Sequence, residues 1–151
     1  MTFRPAETAQ SPRETIGMRS GNIEVIGMEI FKTAEDGAAI GTPSSGSLYL
    51  SVREREWQYG GAEGFWIKKL WRNADDSERT WLMKVDAGAF AGMHAHDEVE
   101  QIYVLEGSFH DQERTVTAGD FIVRAAGAMH ESGSETGAVV LLVYTQAGAK
   151  E

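Results

Sequence analysis

The sequence predicts an all-β protein with a single domain. Short apolar runs recur roughly every 8–15 residues from Asn22 onward with Gly, Asp and Ser between them, the rhythm of a sandwich or barrel. No stretch sustains an i, i+3, i+4, i+7 apolar stripe over three turns, so helices are not expected to form a layer. The chain holds 17 Gly against 3 Pro in 151 residues, which supplies many tight corners.

Residues 1–20 are polar and aperiodic and read as a flexible N-terminal arm, leaving 21–151 as the folded domain. The expected strands are Ile23–Ile30, Leu48–Val52, Phe65–Trp71, Thr80–Val85, Met93–His96, Gln101–Leu105, Thr115–Thr117, Phe121–Arg124, Met129–Glu131 and Ala138–Thr145. Asn73–Glu78 and Ala118-Gly119 read as hairpin turns. Thr33–Ser47 is rich in small residues and reads as a mobile loop or lid. Arg53–Gly64 holds Trp57, Tyr59 and the pair Gly60-Gly61, and also departs from the rhythm. The run from Ala138 to Tyr144 is apolar at both parities, which predicts cover on both faces, in mid-sandwich or against a second copy in a homodimer.

Composition removes several function classes. The net charge is −9, which disfavours nucleic acid and anionic membranes as partners. With no cysteine, disulfides, thiolate metal sites and a cysteine nucleophile are excluded. The longest aliphatic run is seven residues, far short of the roughly 20 of a spanning helix, and no signal-peptide core is evident. A cytoplasmic protein is the expectation.

Three of the four histidines fall in one region. His94 and His96 are two apart and share a face if the segment is a strand, and Glu100 keeps that parity if the strand is regular. Ile102 and Val104 continue the parity, so the face points inward. Two imidazoles and a carboxylate aimed into a core are costly without compensation, and a divalent cation is the simplest compensation. His130 follows an Ala-Ala-Gly corner, but spacing alone does not place it beside His94. His110, in the segment SFHDQE, reads as an exposed turn residue and is left out of the site.

Gly88, His94, His96, Glu100 and Gly107 meet the motif G-x5-HxH-x3-E-x6-G of the cupin superfamily without a gap. Gly119, Gly127 and His130 meet its second motif, with Ala125 where proline is usual and Ser134 where asparagine is usual. The motif segments are 88–107 and 119–134. Residues 57–145, through Trp57, Gly64–Lys68, Arg79–Leu82, Val104–Phe109 and Ala118–Phe121, further resemble the cupin-like domain of the anti-sigma factor ChrR. That branch is similar to small dioxygenases that cleave acetylacetone or dihydroxyacetophenone. The resemblance implies a jelly-roll β-barrel or sandwich. It also implies one divalent metal ion on His94, His96, Glu100 and His130: iron(II) for a dioxygenase, with zinc, nickel or manganese as alternatives.

Three functions follow as expectations. The first is a dioxygenase acting with O2 on a small carbonyl substrate, where Glu100 is a fourth ligand or a base. Glu98, Gln101, Tyr103, Arg124 and Tyr144 are then candidates to support the ligands, and Trp57, Trp66, Trp71 and Trp81 to line a pocket. The second is a non-catalytic zinc-binding sensor or ligand-binding module, its metal site closed by four protein ligands. The third is a sugar isomerase or epimerase. Binding of a sigma factor is not carried over, because in ChrR a separate helical zinc domain with cysteine ligands performs it.

Overall fold

The computed structural model describes residues 32–148, and the predicted arm and the strand Ile23–Ile30 lie outside that range. The described strands are β1 (Lys32–Thr33), β2 (Ala39–Ile40), β3 (Gln58–Tyr59), β4 (Phe65–Arg72), β5 (Glu78–Val85), β6 (Ala89–His94), β7 (Glu98–His110), β8 (Thr115–Thr117), β9 (Phe121–Arg124), β10 (His130–Ser134) and β11 (Ala138–Gln146). The one helical element among the described residues is a 3-10 turn at Val52–Glu54. No helix among them is long and apolar enough to cross a membrane.

The strands follow the order β1-β2-β4-β5-β11-β7-β10-β6, with β3 on β4 and with β8 and β9 on β7, and the path stays open at its ends. β7 is the hinge of this layout. Its first half pairs with β11 and β9, its last residues with β8 and β10, so one strand serves both layers of the jelly roll. The transition is marked by a register shift where Val139 faces Glu106 but Val140 faces Val104, leaving Leu105 as the extra residue. Gly107 follows with φ +72°, and a side chain there would collide with the carbonyl oxygen of Gly137.

Alternation builds the core. In β11, Ala138, Val140, Leu142 and Tyr144 are buried and meet Ile102 and Val104 of β7 and Val85 of β5. Each fully buried aliphatic side chain contributes about 1.5–3 kcal/mol. The residues between them, Val139, Leu141 and Val143, are half-buried. The double-sided cover expected for this strand is thus complete on the inner face only.

Several expectations shift. Leu48–Val52 forms no strand: Tyr49 is 87% exposed, and the segment is tethered by the Lys68 ammonium donating to the Val52 carbonyl. Part of Thr33–Ser47 is not a free loop, since β2 pairs in parallel with β4 and buries Ala38 and Ala39. The Arg55 guanidinium donates to the Gly37 carbonyl and fixes the bend between β1 and β2. His110 ends β7 rather than sitting in a turn, half-buried with its ring against Gly133. The turn at Asn73–Glu78 is present, closed by the Asn73 side-chain carbonyl accepting from the Glu78 N–H.

Gly107→Ala combines a left-handed backbone with a collision against main chain, and is expected to cost about 3 kcal/mol. Gly88→Ala, also at positive φ but facing open space, is expected to cost about 1 kcal/mol. Urea unfolding of the two variants measures the difference.

Candidate metal centre

Pairing of two short strands brings the distant histidines together. β6 ends at His94, β10 begins at His130, and the two residues are direct partners in the ladder. Their ring centroids lie 4.3 Å apart. His96 stands just past the end of β6, in the short connection to β7, where its carbonyl accepts from the Gly127 N–H at 2.7 Å. Its ring centroid lies 5.2 Å from that of His94 and 5.3 Å from that of His130. One ligand atom from each ring falls within 4.8 Å of the other two. Glu100 belongs to the next strand, so a single regular strand through all three positions, as parity implied, is replaced by a strand, a bend and a second strand.

Glu100 is 4% exposed and is held by its neighbours in the sheet. Arg79 of β5, Tyr144 of β11, Glu100 of β7 and Arg124 of β9 occupy one cross-strand row. The Tyr144 hydroxyl donates to Oε1 of Glu100 at 2.8 Å, and Arg124 Nη1 donates to Oε2 at 3.2 Å. Arg124 Nη2 is in turn bound by Asp111 at 2.6 Å, whose other oxygen accepts from the N–H groups of Glu113 and Arg114. Burial opposes ionisation of Asp111, but these backbone donors and Arg124 outweigh it and hold the carboxyl below its usual range. Burial, reinforced by the negative charge of Glu100, keeps the Tyr144 phenol protonated far above its usual range.

The donor set fits a cation. Nδ1 of His94 lies 2.7 Å from the Gly92 carbonyl and Nδ1 of His130 lies 3.0 Å from the Ala128 carbonyl. A carbonyl can only accept, so each Nδ1 carries the hydrogen and the neutral ring presents its lone pair at Nε2. Nε2 of His130 then faces a Glu100 oxygen at 3.7 Å, and Nε2 of His96 faces the other at 3.5 Å. Acceptor opposes acceptor at the buried His130. A proton between them is disfavoured, because burial pushes the His130 ring below its usual value, outweighing its contact with Ala128 and its attraction to Glu100. A divalent ion shared by imidazoles and a carboxylate resolves the conflict.

Beside the histidines opens a cavity of about 500 Å³ whose walls include Phe65, Ile67, Trp81, Met83 and Leu142, with His94, His96 and Glu100 on its surface. Of the four tryptophans only Trp81 lines it. Trp66 bonds Asp86, Trp71 bonds the Gly41 carbonyl, and Trp57 lies beneath Lys68 and Lys84. Among the expected supporting residues, Arg124 and Tyr144 touch Glu100. Glu98 shares its face but pairs with Arg79 at 2.5 Å. Gln101 and Tyr103, at odd parity, point to the outer face, and Tyr103 is 43% exposed. Asp111 and Arg79 went unremarked in the sequence: parity along β5 groups Arg79 with Trp81 and Met83, but nothing local signals that Asp111 reaches Arg124.

A family model described as the ChrR Cupin-like domain matches residues 45–150, well over half of the chain. The chain belongs to this cupin family. No curated protein matches it. An RmlC-like cupin from Shewanella frigidimarina is similar in structure with a TM-score of 0.59 and 23% identity, over 69% of this chain and 95% of that one. A chain of the Rhodobacter sphaeroides complex of SigE with the anti-sigma ChrR gives a TM-score of 0.53 at 21% identity, over 62% of this chain. The chain spans only 50% of that one. A predicted oxalate decarboxylase from Thermotoga maritima gives 0.56 at 23%, over 66% of this chain and all of the other (100%). At these identities the likeness is one of fold.

Both departures from the cupin motifs are accommodated. The corner at Ala125 closes without proline, through the Ala128 N–H donating to the Ala125 carbonyl at 3.1 Å. Ser134, where asparagine is usual, donates to the Ser108 carbonyl at 2.6 Å and accepts from the Gly137 N–H at 2.8 Å, tying β10 to β7 and to the turn before β11.

Arg124→Met leaves Glu100 and Asp111 without their shared cation and is expected to destabilise the protein by about 3 kcal/mol. The double variant Glu100→Gln/Arg124→Met is expected to recover at least half of that loss. Urea unfolding of the single and double variants, closed as a cycle, checks the coupling.

Proposed function

We propose that the chain is a metal-dependent dioxygenase that cleaves a carbon–carbon bond next to a carbonyl in a small diketone or hydroxyketone. The observation that carries this reading is the position of His94 and His96, two of the three clustered histidines, on the wall of a cavity of about 500 Å³. A substrate needs such a space beside the donors, and a purely structural four-ligand zinc site does not. His94, His96 and His130 would hold the ion, and Glu100, with lone pairs left after serving Tyr144 and Arg124, would be the fourth donor or the base. Iron(II) bound there supplies Lewis-acid polarisation of a carbonyl and a site for dioxygen.

The remaining work belongs to the chain itself. The apolar walls exclude water from the reacting carbonyl. Tyr144 and Arg124 hold the Glu100 carboxylate toward the histidines, and the carbonyls of Gly92 and Ala128 orient the rings of His94 and His130. A homodimer is part of the same reading: the outer face around half-buried Leu141 and Val143 carries Tyr103, Phe121 and Val123, each more than 40% exposed. Phe121→Glu is then expected to convert a sedimenting dimer to monomer, and a wild-type monomer at all concentrations would refute the homodimer.

Metal-stripped protein is expected to take up one equivalent of iron(II) and then consume oxygen with β-diketones or aryl hydroxyketones. His94→Ala and His130→Ala are each expected to lower that rate at least 100-fold while the protein still folds. Tight stoichiometric zinc with no oxygen uptake across the panel would favour the sensor module instead.

A further inference from the structure

We propose that Ser132 is the second anchor for a ligand held by the metal: its hydroxyl hydrogen-bonds a polar atom of that ligand away from the histidines and fixes how the molecule lies in the cavity. This rests on the metal site of the reading above and adds a ligand-binding residue to it. The imidazole, carboxylate and hydroxyl groups on the cavity wall belong to His94, His96, Glu100, Tyr144 and Ser132. The first four are engaged: His94 Nδ1 with the Gly92 carbonyl, His96 Nε2 opposite Glu100, and Glu100 with the Tyr144 hydroxyl. Ser132 is different. It is 6% exposed, yet its hydroxyl has no hydrogen-bond partner among the described residues.

Among the described residues, the side-chain polar atom sealed in the packing without a partner is Nε of Arg79, so the Ser132 oxygen is not sealed but opens on the cavity. Ser134, on the same strand, shows what a buried serine ordinarily does: it donates to the Ser108 carbonyl and accepts from the Gly137 N–H. A hydroxyl turned into an apolar chamber with nothing to bond costs free energy, and alanine would fill the position without that cost. A polar atom of a ligand offsets it. Position sets the length of that ligand. His130 opposes His94, and Ser132, two residues further along β10, opposes Ala91 because β6 carries an extra residue between these pairs. Two residues of strand span roughly 6–7 Å. The walls at Phe65, Ile67, Met83 and Phe109 offer no polar group. The ligand that fits is two-ended, with oxygen donors for the ion at one end, a hydrogen-bonding atom at the other and an apolar body between them.

The test is calorimetric titration of the zinc-loaded protein with hydroxamates, which bind zinc through two oxygens and leave a tail to probe the wall. 3-Methoxypropanohydroxamate and pentanohydroxamate have tails of one shape and differ by an ether oxygen in place of a methylene. 4-Methoxybutanohydroxamate and hexanohydroxamate repeat the comparison one methylene further out. In at least one pair, Ser132→Ala is expected to weaken the ether about tenfold while its hydrocarbon counterpart stays within about twofold. Ser132→Thr, which keeps the hydroxyl, is expected to retain most of the wild-type preference. In urea, Ser132→Ala is expected to unfold no earlier than wild type, whereas Ser134→Ala, which removes two hydrogen bonds, unfolds earlier. Ser132→Ala unfolding as early as Ser134→Ala, or ether and hydrocarbon affinities that fall together or not at all, would overturn the proposal. Hydroxamates that bind no more tightly with zinc than without it would overturn it together with the metal site. An ether preference that depends on Ser132, in a protein that consumes no oxygen with iron(II), would leave this anchor standing and sink the dioxygenase reading alone.

Discussion

A carboxylate buried in a β-sandwich has to be answered, and the answer given to Glu100 organises the molecule. The row Arg79, Tyr144, Glu100 and Arg124 runs across four adjacent strands, so the register of β5, β11, β7 and β9 is tied to a single polar requirement. A slip of one residue in any of these strands would turn the partner outward and leave the charge bare. The apolar rows beneath, through Leu142 and Ile102 and then Val140 and Val104, inherit that register. The polar site and the hydrophobic core are therefore specified together.

The same row divides the interior by polarity. On one side of Glu100 stand the three imidazoles, and beyond Arg124 the Asp111 turn closes the ion-pair chain. Toward β4 and β5 the walls become aliphatic and aromatic. Cationic side chains are kept out of the cavity by being spent elsewhere: Lys68 on the Val52 carbonyl, Lys69 on Asp36, Arg79 on Glu98 and Arg124 on Glu100 and Asp111. The result is an apolar chamber with its polarity concentrated at one end.

Much of this was legible in the sequence because it depends on period and turn chemistry. The alternation in Phe65–Trp71, Thr80–Val85 and Ala138–Thr145 and the glycines of the corners report directly on strands and bends. The meeting of His94 with His130 was not legible from spacing. It is a product of β6–β10 pairing between segments far apart in the chain, and only the cupin resemblance anticipated it. Leu48–Val52 shows the converse failure. It alternates like a strand, but with Tyr49 in solvent no apolar face rewards pairing, and a lysine tether replaces the ladder. Gln101 and Tyr103 were near the site in sequence yet face away, whereas Asp111 was remote in pattern and reaches Arg124 through a turn.

The bend that carries His96 has one more implication. Ala95, His96 and Asp97 are all that separate β6 from β7, so the spread between the first and third donors is fixed by how many peptide units the chain spends there. Ala95 and Asp97 can drift in identity at little cost to the donors, but an added or missing unit would swing the imidazole away from its companions. Divergence at this corner is therefore expected to proceed by exchange of side chains and hardly ever by insertion or deletion.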